Sequence, residues 1–486
     1  MGLAEQVASE EASREAAPFP WLLFAALGLA LIAIAPDAST NPFDGPMIVA
    51  ERMLRGASDL PPEFGWMETF RHRGKTYLAY PPMVTFILVP YAALGGAALG
   101  QTVANSLLIF GSAILLYLLM RNTPGLERLA AVGALVWVVG TPLLYSAHFG
   151  TVWMLMHSEG NFFLLLALYL AAVRRSFFWA GCAFMVASLT RYAILFSAPA
   201  FVVLAVDGRL AREQRGAALR DLLRFALGAA ILAAGTLLYN WWLFDAPLKS
   251  PYVTSWRQKS GHWVRADKSL GATVFAIGSF RPSNVPQNVA FYLTARPVRV
   301  PWFPYVRFSG GGEAIWLLSP FFLGLLLPRL RLRATRWLVA GALPMLLFYL
   351  LYSYQGYVQY GSRYLSDVFP FLVPLALSAF ARASVWWRRA LVVLVALSIA
   401  ANAYGVWVVS TFGIGLPRSW TQRPAERSGT NAPAARSWKK PPTTRSWKKP
   451  PAARAPKKPA AAPRAAPAKP RSAPPPAAAA SARATR

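Results

Sequence analysis

The chain has 486 residues, 55% hydrophobic and only 14% charged, with a formal net charge of +30 and a single cysteine. Repeated apolar runs of roughly 18 residues exclude one soluble core and point to transmembrane helices. The lone Cys182 excludes an internal disulfide and a cysteine metal site, and His72, His148, His157 and His262 form no HExxH pattern.

Residues 1–18 are acidic, unlike the basic start of a signal peptide, and Pro36 follows the cleavage-like Ala33-Ile34-Ala35, so 19–35 is expected to remain as an anchor. The hydrophilic loop 36–80 comes next, with six carboxylates (Asp37, Asp44, Glu51, Asp59, Glu63, Glu68), five bases (Arg52, Arg55, Arg71, Arg73, Lys75) and His72. A loop this long that is rich in aromatics and prolines reads as functional, and it is the expected catalytic rim. Eleven further apolar segments follow: 81–99, 101–120, 129–147, 157–173, 177–189, 192–206, 225–244, 314–327, 337–352, 368–380 and 390–412.

Basic clusters at Arg121/Arg128, Arg174/Arg175, Arg209–Arg224, Arg329–Arg336 and Arg382–Arg389 all face the cytoplasm only if 81–99 is re-entrant or lies along the interface. The expected fold is therefore an all-α integral membrane protein of about 11 transmembrane helices plus that re-entrant or juxtamembrane segment. It comprises a cytoplasmic N-terminus 1–18, a transmembrane domain 19–412 with outer loops 36–80, 245–313 and 353–367, and a Pro/Ala/Lys-rich tail 413–486. The outer loop 245–313 interleaves nine bases with aromatics, a surface suited to a phosphate joined to a sugar and equally to an interfacial belt. Asp207–Arg224 reads as an interfacial amphipathic helix. The tail carries 17 Lys and Arg against Glu426 from Pro417 onward, and two copies of RSWKKPP. It cannot bury a core and is expected to stay disordered, drawn to anionic lipid or polymer rather than nucleic acid.

The order of several short motifs resembles a known family. Thr76-Tyr77-Leu78-Ala79-Tyr80-Pro81-Pro82 follows the acidic loop. Gly140-Thr141-Pro142-Leu143, Leu166-Ala167-Leu168-Tyr169 and Leu189-Thr190-Arg191 come next, then Tyr239–Leu248 (YNWWLFDAPL) and Tyr360-Gly361-Ser362-Arg363-Tyr364-Leu365. This set resembles GT-C polytopic glycosyltransferases, particularly the branch of protein O-mannosyltransferases and the lipid A aminoarabinose transferase, over roughly residues 19–412. The resemblance implies transfer of a sugar from a polyprenyl-phosphate donor to a glycan or lipid acceptor at the extracytoplasmic face of the inner membrane. It puts the acceptor's base at Asp44, with Asp37 as alternate, and a phosphate-binding base at Lys75, with neighbours Arg71 and Arg73. Arg363 is expected to return to the same face, and Arg191 is a further candidate for the lipid phosphate. Where that branch often has a second acid, Met156-His157-Ser158-Glu159 stands here. His157 and Glu159 become catalytic candidates, no metal site is assigned, and the role of a divalent cation is left open. The competing readings are a helix N-cap for Asp44, snorkelling interfacial bases for Lys75, Arg71, Arg73 and Arg363, and a satisfied interfacial histidine for His157.

Two other function classes compete. A transporter or flippase for lipid-linked sugars would favour internal repeats, and no repeat of the two halves is visible. A non-catalytic envelope scaffold would depend on the tail. No βαβ or phosphate-loop pattern marks a soluble nucleotide-sugar fold, and the SGGGE run at 309–313 carries little weight as one.

Overall fold

The computed structural model describes residues 18–34, 44–61, 69–207, 214–248, 280–327 and 333–414, without 302, 309, 354, 357–358 and 382–383. Asp37, most of the loop around 249–279, and the tail from 415 lie outside the described residues. The regular structure is overwhelmingly helical, with two short antiparallel ribbons.

Among the described residues five helices are long and apolar enough to cross a bilayer: α5 (Gln101–Arg121), α8 (Val152–Ala172), α11 (Arg215–Phe244), α14 (Arg333–Leu351) and α16 (Val385–Phe412). At ~1.5 Å per residue, a 21-residue helix such as α5 or α8 spans roughly the 30 Å hydrocarbon core. The chain is a multi-pass membrane protein.

Other apolar segments are broken by their own sequence. α6 (Ala130–Val139) and α7 (Leu143–Phe149) belong to a pair bent by 45°, which counts as a sixth span if taken as one. Pro142 has no N–H to continue the ladder. The Thr141 hydroxyl bridges the break, donating to the Trp137 carbonyl at 2.8 Å and accepting the Leu143 N–H at 3.3 Å. The prolines and glycines of 81–99 give only α3 (Met83–Phe86), α4 (Leu88–Ala93) and a 3-10 turn. Over Met83–Ala93 that amounts to roughly 16 Å, about half a bilayer. α1 (Trp21–Ile34), α9 (Phe177–Thr190) and α10 (Ala198–Val206) are also shorter than a full crossing.

One sequence expectation changes. From Arg215 on, the interfacial helix expected over Asp207–Arg224 is the first part of α11, a single helix of 30 residues. Ala, Leu and Arg are all strong helix formers and no proline separates them from the apolar stretch, so nothing ends the helix at Arg224.

Between lipid-immersed helices, apolar burial supplies little drive, and close packing at small residues takes over. A Cβ on Gly181 would sit 2.0 Å from the Phe225 carbonyl oxygen, and one on Gly228 2.1 Å from that of Phe178, so α9 and α11 meet backbone to backbone. The main core gathers Trp137, Phe201, Phe321, Phe369 and Phe371. Buried amides settle helix ends within it. The Asn288 amide, on α12 (Val285–Thr294), donates its two hydrogens to the carbonyls of Leu350 at 2.8 Å and Tyr352 at 2.7 Å, at and just past the C-terminal end of α14.

Candidate active site

The polar centre of the molecule forms where α8, the start of the segment after α9, the end of α14 and the 3-10 helix Arg363–Val368 meet. His157 enters it from α8, 1% exposed; the adjoining Ser158 and Glu159 are buried on the same helix. Asp367, wholly buried, takes the His157 ring through Nδ1 at 2.5 Å. Its other oxygen accepts Arg191 Nε at 3.1 Å and the Tyr349 hydroxyl. Arg191 also reaches Tyr349 Oη through Nη2 at 3.3 Å. Tyr364 stacks on Tyr349 with ring centroids 5.5 Å apart and 9° between planes, and Arg191 lies 5.4 Å from the Tyr364 ring centre. Gly160 makes room for this network: a Cβ there would meet the Arg191 side chain at 3.3 Å.

Burial alone would raise the Asp367 carboxyl, but the Arg191 guanidinium and then His157 outweigh it and hold it near 2. An ionised Asp367 accepts only, so the bonded Nδ1 of a neutral His157 carries the proton and Nε2 keeps the lone pair.

Arg363 stands beside this network without sharing its acid. Its guanidinium lies 5.4 Å from the Tyr364 ring and 5.6 Å from the Trp153 ring. The residue is 8% exposed, and Nε and Nη1 are buried without a hydrogen-bond partner. Among the described residues no carboxylate lies within ion-pair distance of it. A buried cation with open donors and aromatic walls is arranged to accept an anion, since leaving it unmatched is costly.

Asp44 occupies the N-cap position of α2 (Gly45–Met53), but its side chain makes no capping bond. α2 packs on α3 and α4, and its Met47 and Ala50 belong to a buried cluster that also takes in Val152, Leu155 and Met156 of α8. The hairpin of β1 (Thr69–His72) and β2 (Lys75–Leu78) holds the other candidates at the surface. Arg73 pairs with Asp245 at 2.5 Å and Lys75 with Asp59 at 3.8 Å, both cations more than half exposed, while Arg71 stands opposite Thr76 on the exposed side. A shallow cleft opens between α2, this hairpin and the end of α11, lined by Val49, Tyr77, Tyr80, Tyr239, Asn240 and Phe244.

The structure thus joins His157 and Arg191 through Asp367, sets Arg363 next to them, and keeps Arg73 and Lys75 in separate ion pairs. Glu159 is wholly buried with neither carboxylate oxygen hydrogen-bonded. Sequence reasoning passed over Asp367 and Tyr349. A signal for Asp367 existed, because it is the only acid between Glu313 and Glu426. Among the described residues there is no group of three or more His, Cys, Asp or Glu placed to hold a metal ion, and Asp367 has three hydrogen-bond partners.

No protein-family model and no curated protein matches the chain. Among solved structures its similarities are at low identity. One is the Archaeoglobus fulgidus oligosaccharyltransferase in its apo form, at 13% identity and a TM-score of 0.46 over 82% of this chain. Another is ArnT from Cupriavidus metallidurans bound to undecaprenyl phosphate, at 18% identity and a TM-score of 0.44, again over 82%. The chain spans 57% of the length of the first and 67% of the second.

Proposed function

We propose that the protein is a membrane glycosyltransferase that moves a sugar from a polyprenyl-phosphate carrier to the hydroxyl or amine of a glycan or lipid acceptor. The observation that carries this reading is Arg363, a buried guanidinium with two open donor positions between aromatic rings in a membrane protein. A water-excluded cation of this kind suits an anionic headgroup arriving from the bilayer. In the reaction the acceptor oxygen or nitrogen bonds to the sugar's anomeric carbon as the carbon–oxygen bond to phosphate breaks. Arg363 offsets the charge that grows on the departing polyprenyl phosphate. Asp44 takes the acceptor's proton, and the lone pair on His157 Nε2, held in direction by Asp367, accepts a hydrogen bond from a substrate hydroxyl.

The remaining arrangement belongs to the same proposal. It has about eleven spans within 19–412, a re-entrant 81–99, and the reacting face outside the inner membrane, because only that arrangement puts the basic clusters in the cytoplasm.

The test uses the full-length protein in nanodiscs. Native mass spectrometry follows retention of undecaprenyl phosphate, with undecaprenol and phosphatidylglycerol as controls. Specific retention that falls in Arg363→Ala supports the donor site; retention no better than phosphatidylglycerol sinks it and moves a flippase or scaffold ahead. With a donor sugar in hand, Asp44→Asn is expected to keep donor binding and lose most transfer, and near-normal turnover would remove Asp44 as the base.

A further inference from the structure

The glycine run ahead of Glu313 has a structural partner. Gly310–Glu313 lies against the turn 359–363 that presents Arg363, and the two stretches are clasped at several points. Gln359 donates its backbone N–H to the Gly310 carbonyl at 3.0 Å and its side-chain amide to the Gly311 carbonyl at 2.6 Å. The Glu313 carboxylate accepts the Gly361 N–H at 2.8 Å, and its own carbonyl accepts the Ser362 hydroxyl at 2.8 Å. Only glycine allows this approach at position 312, where φ is +98° and a Cβ would stand 2.5 Å from the Gly361 carbonyl oxygen. Glu313 is wholly buried, and its second carboxylate oxygen has no hydrogen-bond partner. A buried carboxyl that spends one oxygen on a single turn N–H has its role at that turn.

We propose that Glu313 is a positioning residue for Arg363: by gripping Gly361 and Ser362 it fixes the start of the 3-10 helix that carries both Arg363 and Asp367, and so sets the affinity of Arg363 for a lipid-linked phosphate. This rests on the reading of Arg363 as the partner of the donor phosphate. The turn leads straight into the site: Arg363 donates its backbone N–H to the Gly361 carbonyl at 3.1 Å, so a shift at Gly361 is passed on to the guanidinium two residues later. Among the described residues the Glu313 charge acts on Tyr145 and Tyr360, and a phenol is uncharged near neutral pH.

The experiment measures retention of undecaprenyl phosphate by the full chain in nanodiscs, for wild type, Glu313→Ala, Glu313→Gln, Arg363→Ala and the double variant Glu313→Ala/Arg363→Ala. Glu313→Ala is expected to weaken retention about tenfold, the cost of leaving the buried Gly361 N–H without its acceptor. Glu313→Gln keeps an acceptor for Gly361 and is expected to stay within about threefold of wild type. In the Arg363→Ala background, removing Glu313 is expected to change nothing further, because the grip then has nothing to position. If Glu313→Ala fails to fold, Ser362→Ala removes the second clasp and is expected to show the same direction. Wild-type affinity in Glu313→Ala, or in Ser362→Ala where that variant stands in, or an equal loss with Arg363 absent, overturns the proposal alone. Retention indifferent to Arg363 overturns both it and the donor site.

Discussion

Asp367→Asn tests whether the buried network holds the fold as the distances indicate. The side chain keeps its shape and loses its charge. Asp367 is wholly buried and Arg191 17% exposed, so the substitution leaves a guanidinium without its counter-ion in a nearly dry site. Breaking a buried pair by removing one partner costs about 3–5 kcal/mol. The carboxyl's titration has the same sense: the Arg191 guanidinium beside it holds it near 2 instead of its ordinary 3.8, so the folded protein favours the ionised form. Because the folded value is depressed, that stability is present above 3.8 and is lost only as pH falls toward 2, so the assay is run at pH 7. Unfolding free energies are measured by denaturing-detergent titration in mixed micelles for Asp367→Asn, Arg191→Met and the pair together. Each single variant is expected to lose about 3 kcal/mol, and the double variant clearly less than their sum, because it leaves no orphaned charge. Strict additivity, or a loss below ~1 kcal/mol in Asp367→Asn, would refute the idea that the ion pair is what the site is built on.

Glu313 predicts a pH effect of opposite sign: burial raises its carboxyl from 4.5 to about 7, so its share of stability is complete below 4.5 and is lost as pH rises through 7. Wild type is expected to be about 3 kcal/mol less stable at pH 8 than at pH 4.5 on this account, and Glu313→Gln to flatten that slope; an unchanged slope in the variant assigns it elsewhere. On α11, Gly228→Leu is expected to cost more than ~3 kcal/mol by forcing α9 away, whereas Gly235→Ala, with nothing within 4 Å of its added Cβ, is expected to stabilise by up to ~1 kcal/mol. Equal effects at the two glycines in the same titration would contradict the backbone contact. For the donor phosphate, Arg363→Ala is expected to lower retention at least tenfold and Lys75→Ala by less than about threefold, since Lys75 is 60% exposed and pairs with Asp59. The reverse ranking in native mass spectra would move the phosphate to the hairpin.

The apolar runs made the membrane class legible, because hydrocarbon demands long uncharged helices and little else imitates them. Span boundaries were less legible. The break at Gly140–Pro142 and the short helices of 83–93 depend on how each freed backbone group is satisfied, and Thr141 does so with one hydroxyl. The motif order singled out His157, Arg191 and Arg363, yet the acid that joins the first two lies 210 residues beyond His157 and sits on a 3-10 turn without periodicity. Glu313 was passed over for a related reason. A glycine run read alone resembles a flexible loop, and its meaning appears only with the chain that lies against it. Arg73 and Lys75 were noticed for their charge, but sequence spacing does not disclose that Asp245 and Asp59 come to meet them.

α11 leaves Leu227, Ile231, Leu238, Trp241 and Trp242 exposed, an apolar face suited to acyl chains, and its far end forms one wall of the aromatic cleft. A ligand dissolved in the bilayer approaches such a wall sideways, by diffusion in two dimensions. The quantity that governs occupancy is then the mole fraction of that ligand among the lipids. Diluting the membrane with inert phospholipid at constant bulk concentration would empty the site, and adding buffer would not.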